Sequence, residues 1–367
     1  MLALPLAGLG CGPGSERAPA IGEAYVGPFE LNLIAALAPE APVATTLHHG
    51  ERVEVLEYRR RFARVRSAEG VEGWADGLLL LTAANMARLR RLSMNAARLP
   101  SQGKVTVFDT LNVHTDPNRD APSFYQLQEG NLAEVVAHQL GPRSPYEPPA
   151  GEEIVTPLNS YEPPLERPPD GPKDDWNLLR VSDGRAGWAL TRMLVMAIPD
   201  EVAQYAGGHR ITSYASLGSV IDQGRVKHHW LWTTLTRGGQ PYQFDSFRVF
   251  VWSRRRHRYE TAYIERNLVG YYPIVVDAPE EPAARDTRVL PPFRVIVRSA
   301  GGGLEQRTYA FEGYRARLRE RVPWEAPARG RSPAGDESGQ NPAPGTPSLM
   351  RRLWNRLTGH SPEFRRD

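Results

Sequence analysis

The stretch WNLLRVSDGRAGWA, Trp176 to Ala189, holds two tryptophans twelve positions apart on either side of a Ser-Asp-Gly turn. It has a counterpart earlier in the chain. Phe62 to Ala75 reads FARVRSAEGVEGWA, and without a gap Phe62 falls on Trp176, Arg66 on Arg180, Glu69 on Asp183 and Gly70 on Gly184. Both copies then close on Gly-Trp-Ala, at 73–75 and 187–189. Upstream, Leu31-Asn32-Leu33 precedes Gly50 at the spacing by which Leu111-Asn112-Val113 precedes Gly130, eighteen residues from Asn to Gly in each. One small domain occurring twice accounts for all of these matches.

Each copy reads as short strands and tight turns. Glu51 to Leu56 alternates polar and apolar as a half-buried strand does, and Phe62 to Arg66 supplies a second. Glu69-Gly70 and Asp183-Gly184 are hairpin turn dipeptides. Gly73 lets Trp74 pack closely at a strand corner. A domain of about sixty residues buries little area, so bulky aromatics at the hairpin ends are expected to fill its core.

Leu-Asn-hydrophobic, a spaced Gly, an aromatic followed by a basic strand and then Gly-Trp-Ala together resemble the bacterial SH3-like domain, over about 24–81 and 104–196. The resemblance implies a small, strongly bent β-barrel serving as a non-catalytic binding or targeting module in envelope proteins, often on peptidoglycan. That family often has Arg after Leu-Asn-hydrophobic, where this chain has Ile34 and His114. The resemblance therefore implies a ligand site on the second copy, near Asn112, His114, Trp176 and Trp188, and a spacer role for the first.

The second copy carries thirty-four extra residues, since Gly50 to Phe62 spans twelve and Gly130 to Trp176 forty-six. Gln139 to Lys173 contains ten prolines and is expected to run as polyproline II and turns on the surface. Between the copies, Thr82 to Leu99 places Met86, Leu89, Leu92, Ala96 and Leu99 on one helical face, which predicts a connecting helix packed on one barrel.

From Pro199 to about Trp324, strand-like runs such as HHWLWTTLTR, YQFDSFRVFVWS, HRYETAYIE, YYPIVV, FRVIVRS and QRTYAFEGY predict an antiparallel β-domain. Alternation puts Tyr259, Thr261 and Tyr263 on one face. Enzymatic readings have few residues to stand on. Thiol peptidase chemistry needs a catalytic cysteine, and the single cysteine is Cys11 at the extreme N-terminus. His209, His228, His229 and His257 are zinc ligands by residue type only, and adjacent residues of one strand point to opposite faces. Asp245, Glu260 and Glu265 are the carboxylates from which a hydrolase would draw an acid/base pair.

Cys11 follows the apolar run MLALPLAGLG and precedes the small, flexible GPGSERAPA, which resembles the end of a bacterial lipoprotein signal. The resemblance implies lipidation at Cys11 and a periplasm-facing envelope location. The lack of a basic start places the beginning of such a signal upstream of Met1. The formal charge of +3 belongs to the tail: residues 326–367 hold seven Arg against four acids, leaving 38 basic and 38 acidic side chains elsewhere. The body is neutral and shows no nucleic-acid footprint. Within the tail, TPSLMRRLWNRLTG would form a short amphipathic helix with Met350, Leu353, Trp354 and Leu357 on its apolar stripe.

The expected fold is mainly β: two small SH3-like β-barrels plus a separate antiparallel β-domain, with disordered termini. The expected organisation is a lipoprotein-like signal and tether at 1–23, domain 1 at 24–81, a helical connector at 82–103 and domain 2 at 104–198 with its insertion at 139–173. A β-rich domain at 199–325 and the basic tail at 326–367 complete it. The function implied is non-catalytic binding or scaffolding in the cell envelope, with peptidoglycan or an envelope protein as partner, the membrane reached through a lipid anchor, and no cofactor or metal. The alternatives are a cell-wall hydrolase with its active site in 199–325 and a cytosolic protein-protein adaptor.

Overall fold

The computed structural model describes residues 18–143, 171–277, 290–313 and 315–325. Cys11 and its apolar run, most of the proline-rich insertion and the basic tail lie outside these residues. The chain is mainly β, and the described residues form three seven-stranded antiparallel sheets. It divides into two compact units at a boundary between Met86 and Ala87.

The first unit contains β1 (Gly22–Val26), β2 (Glu30–Ile34), β3 (Val43–His48), β4 (Arg52–Arg59), β5 (Phe62–Arg66), β6 (Glu72–Asp76) and β7 (Leu80–Leu81). They pair in the order β3-β2-β6-β5-β4-β1-β7. Every second residue of β2, β4 and β5 is apolar, and this alternation delivers Leu33, Val53, Ala63 and Val65 to a core that also takes Val26. Helix α1 (Ala83–Ala97) follows.

In the second unit, β8 (Lys104–Val107), β9 (Leu111–His114), β10 (Ser123–Leu127), β11 (Leu132–Pro142), β12 (Lys173–Arg180), β13 (Ala186–Leu190) and β14 (Leu194–Met196) form a sheet in the order β10-β9-β13-β12-β11-β8-β14. Each strand occupies the place of its counterpart seven numbers earlier. The turn glycines match as well, with Gly50 and Gly70 at φ 83° and 85° and Gly130 and Gly184 at 79° and 85°, a region that only glycine enters freely. A closed barrel needs a ring of hydrogen bonds, and among the described residues neither sheet has one: β3 and β7 are edges of the first, β10 and β14 of the second. The proline-rich segment also begins later than its composition implies. Gln139 to Pro142 continue β11 and pair with Lys173 to Trp176, because Pro142 sits at the strand end where its missing N–H costs no ladder bond.

After the short helix α2 (Asp200–Ala203), the third sheet is a meander of β15 (Arg210–Asp222), β16 (Arg225–Leu235), β17 (Phe244–Ser253), β18 (Arg258–Val276), β19 (Phe293–Arg298), β20 (Leu304–Glu312) and β21 (Arg315–Pro323), paired in chain order. Strand β18 also meets β15 and β21, which are not its ladder neighbours, so the sheet curls. The curl encloses one core that takes Leu217 from β15, Phe247 from β17, Phe293 from β19 and Tyr309 from β20. A second cluster, with Trp232, Phe250, Trp252 and Tyr259, lies on the opposite face and includes Val202 of α2.

Two sequence expectations change here. HRYETAYIE and YYPIVV are parts of one nineteen-residue strand, β18. Tyr259 and Tyr263 do not share a face: Thr261 pairs with Phe250 and Tyr263 with Val249, so Ala262 is a bulge. The extra residue inverts the alternation, sending Tyr259 to the α2 side and Tyr263 to the enclosed core.

Candidate functional site

The hairpin of β12 and β13 presents two rows on its outer face, Trp176 opposite Leu190 and Leu178 opposite Trp188. Helix α1 covers them. Ala96 belongs to the same buried cluster as both indoles, with Leu92 and Leu99 packed beside it. Ser93 Oγ accepts the N–H of Ala186 at 3.0 Å, and Arg180 Nη1 donates to the carbonyls of Ala96 and Leu99 at 2.9 and 3.0 Å. Arg180 thus satisfies carbonyls that a helix C-terminus leaves open. Trp176 and Trp188 are 0% and 3% exposed. A ligand reaching either indole would have to displace the helix.

His114 stands beside them, its ring edge-on to Trp176 at 5.4 Å and its backbone opposite Trp188. Burial lowers its basicity, outweighing the bond between Nδ1 and the Ala121 carbonyl at 2.8 Å. Asn112 lies two residues away, exposed, with Oδ1 accepting from Gln126. The structure therefore brings His114, Trp176 and Trp188 together as a buried seam and leaves Asn112 at the surface.

The histidines of the third sheet are dispersed. His228 bonds Ser216, His229 is buried and accepts the backbone N–H of Trp252 at 2.9 Å, and His257 bonds Asp222 at 2.7 Å. Among the described residues no three His, Cys, Asp or Glu side chains gather as metal ligands. The carboxylates are dispersed too. Glu260 is ion-paired with Arg256, and Glu265 accepts from Tyr263, Tyr309 and Arg307. Their ladder partners, Val251 and Phe247, lie four residues apart on β17, which separates the two by roughly 13 Å along the sheet, more than a glycosidase pair spans. Asp245 lines a groove on the other face of the sheet. These three therefore do not form an acid/base pair.

That groove is the site the geometry singles out. Strands β16, β17 and β18 build its floor as two rows, Trp232-Arg248-Ile264 and Thr234-Ser246-Arg266, fixed by the registers of the two ladders. The segment after α2 covers the adjacent part of this face and ends in Tyr205, Ala206 and Gly207, which form the wall. Gly207 and Gly208, at φ 59° and 85°, turn the chain away and leave the floor open. The cavity holds about 280 Å³.

Arg248 and Arg266 are diagonal neighbours on this floor, within reach of one another for long side chains. Among the described residues neither has a carboxylate within ion-pair distance. Arg248 donates to the Tyr205 carbonyl at 3.4 Å, and its guanidinium basicity is lowered first by burial and then by the charge of Arg266. Asp245 shares the groove, its Oδ2 accepting the N–H of Thr236 at 2.9 Å. Asn267, at the rim, takes φ 59°, a conformation rare outside glycine that recurs at functional sites. Tyr205 is 41% exposed, with its ring 5.5 Å from Phe250. Two guanidinium groups without an ion-pair partner among the described residues, a partly exposed aromatic ring, hydroxyl and amide groups and the Asp245 carboxylate thus share one concavity.

His209 also lines the groove, and it and Asp245 are the two lining residues that the sequence offers as candidates, in other roles. The pairing of Arg248 with Arg266 depends on a strand register that no local pattern encodes.

No protein-family model and no curated protein matches the chain. Solved structures similar to it include an NlpC/P60 family protein from Bacillus cereus ATCC 10987, at 10% identity over 65% of this chain and 93% of that one, with a TM-score of 0.20. NlpC2 and NlpC1 from Trichomonas vaginalis are similar at 10% and 11% identity, covering 82% and 83% of this chain and 96% and 93% of theirs, each with a TM-score of 0.16. At these TM-scores the likeness carries no weight for the chemistry of this chain.

Proposed function

We propose that the protein is a non-catalytic binding or scaffolding factor of the bacterial cell envelope, lipid-anchored at Cys11, with its ligand site in the groove of the third sheet. The tandem repeats act as SH3-like modules, and peptidoglycan is the ligand to test, since it is a glycan polymer that carries anionic groups. The observation that carries this reading is the pair of arginines, Arg248 and Arg266, in a groove with no carboxylate paired to either among the described residues. The charge of Arg266 adds to burial in lowering the basicity of Arg248, and an anion between the two would relieve that repulsion.

The test is co-sedimentation of the full chain with insoluble peptidoglycan. Retention should fall as salt rises and should drop at least about tenfold in Arg266→Gln, a change at an exposed position that should leave the fold intact. Wild type that stays in the supernatant at low salt would refute a wall-binding role.

A further inference from the structure

We infer that the groove takes a single sugar unit bearing one oxyanion, a carboxylate or a phosphate. The inference rests on the binding role proposed above and assigns its chemistry. Three features of the lining select this class together. Arg248 and Arg266 share one sheet face as diagonal neighbours, so one oxyanion between them meets donors from both guanidinium groups. The rest of the floor and rim carries short hydroxyl and amide groups: Thr234, Thr236 and Asn267 bond hydroxyls as donors or acceptors, and Ser246, which gives its O–H to the Glu265 carbonyl at 2.9 Å, accepts. Tyr205 offers a partly exposed ring at the wall, the amphipathic surface on which the C–H face of a pyranose rests.

Asp245 sets the charge limit. Its carboxylate lines the same concavity and is occupied on one oxygen by the Thr236 N–H, so the other side accepts from a neutral hydroxyl and repels a second anion. The volume of about 280 Å³ lies just under the roughly 300–1,000 Å³ range of small-molecule sites, which limits the bound unit to about one ring. A purely neutral sugar would leave both arginines unneutralised, and a bare anion would leave Tyr205 and the hydroxyl set unused.

Isothermal titration of the full chain with methyl glucuronide, glucose 6-phosphate, methyl glucoside and inorganic phosphate tests this. At low salt one or both charged sugars should bind at least about tenfold more tightly than methyl glucoside and than inorganic phosphate, and the tighter of the two identifies the oxyanion. Arg266→Gln should weaken the charged sugar at least about tenfold, Tyr205→Ala should weaken it severalfold, and Arg321→Gln, on edge strand β21, should leave it unchanged. Equal affinity for methyl glucoside overturns the oxyanion assignment. Equal affinity for inorganic phosphate, or indifference to Tyr205→Ala, overturns the sugar assignment, and absence of binding by both charged sugars overturns the inference as a whole. Peptidoglycan retention that is lost in Arg266→Gln, without binding of either sugar acid, would leave the wall-binding role standing and remove this inference alone. Sugar-acid binding without peptidoglycan retention would do the reverse.

Discussion

Asp175 shows how single residues tie the second repeat sheet to the third sheet. Its Oδ1 is bonded by His138 Nε2 at 3.0 Å, and its Oδ2 accepts from Arg210 Nη1 at 3.3 Å and from the Gly239 N–H at 3.1 Å. His138 Nδ1 faces the amide Nε2 of Gln243 at 3.4 Å, a donor, so Nδ1 accepts and Nε2 carries the proton given to Asp175. Burial alone would raise the carboxyl, but the bond from His138 and the charge of Arg210 outweigh it and hold Asp175 well below the usual carboxylate range. A depressed folded value means that the stabilisation is complete above the unfolded carboxylate value of about 4 and is lost as pH falls toward the folded one. Asp175→Asn should therefore lower stability by about 2 kcal/mol at pH 7, read from urea melts. The difference from wild type should shrink below about pH 4. A difference that stays constant down to pH 3 would show that charge plays no part in the network.

At the scale of elements, the Gly-Trp-Ala motif has a steric basis. A Cβ on Gly73 would stand 2.7 Å from the Leu33 Cβ, and one on Gly187 would stand 2.5 Å from a Val113 methyl and 2.6 Å from the Phe124 ring. In both sheets the glycine lets the last hairpin strand approach the Leu-Asn-hydrophobic strand, which explains why the two motifs recur together. Gly187→Ala should cost about 1–3 kcal/mol through overpacking, while Trp188→Ala should cost about 3–5 kcal/mol by emptying the seam under α1. Chemical denaturation measures both, and a loss below about 0.5 kcal/mol for Trp188→Ala would mean that the helix does not depend on the indole. The hairpins were legible in the sequence because their turn glycines, alternation and closing motif are local. The helix was legible from Leu92, Ala96 and Leu99, although its cover over Trp176 and Trp188 was not. Strand β15 escaped notice because Thr212 and Ser213, polar in sequence, are buried and satisfied by the Thr233 hydroxyl at 2.8 and 2.6 Å. Strand β21 does alternate, with Arg315, Arg317, Arg319 and Arg321 between Ala316, Leu318, Glu320 and Val322, but its apolar half is weak, and the charge suits an unpaired sheet edge. The groove was illegible for a related reason, since Arg248 and Arg266 become neighbours only through the register of β17 on β18.

At the scale of the molecule, the domains read from the sequence are not all separate compact units. The second repeat sheet and the third sheet belong to one compact unit, and buried polar bonds join them. Gln102, 2% exposed, accepts the Ile274 N–H on Oε1 at 2.8 Å, while its carbonyl takes the Tyr214 N–H at 2.9 Å. Tyr214 Oη in turn donates to the Ala197 carbonyl at 3.0 Å. Separating the two sheets would exchange these bonds for bonds to water, at a net cost of about 0.5–1.5 kcal/mol for each. The two sheets should therefore melt as one transition, whereas the first unit has its own core around Leu33 and Val53. Scanning calorimetry of three single variants decides this. Val135→Ala in β11 and Val249→Ala in β17 should lower the same transition by similar amounts, and Leu33→Ala in β2 should lower a different one. If Val135→Ala and Val249→Ala instead moved separate transitions, the second repeat would be an independent module like the first, and the groove would be carried by a third sheet able to fold without it.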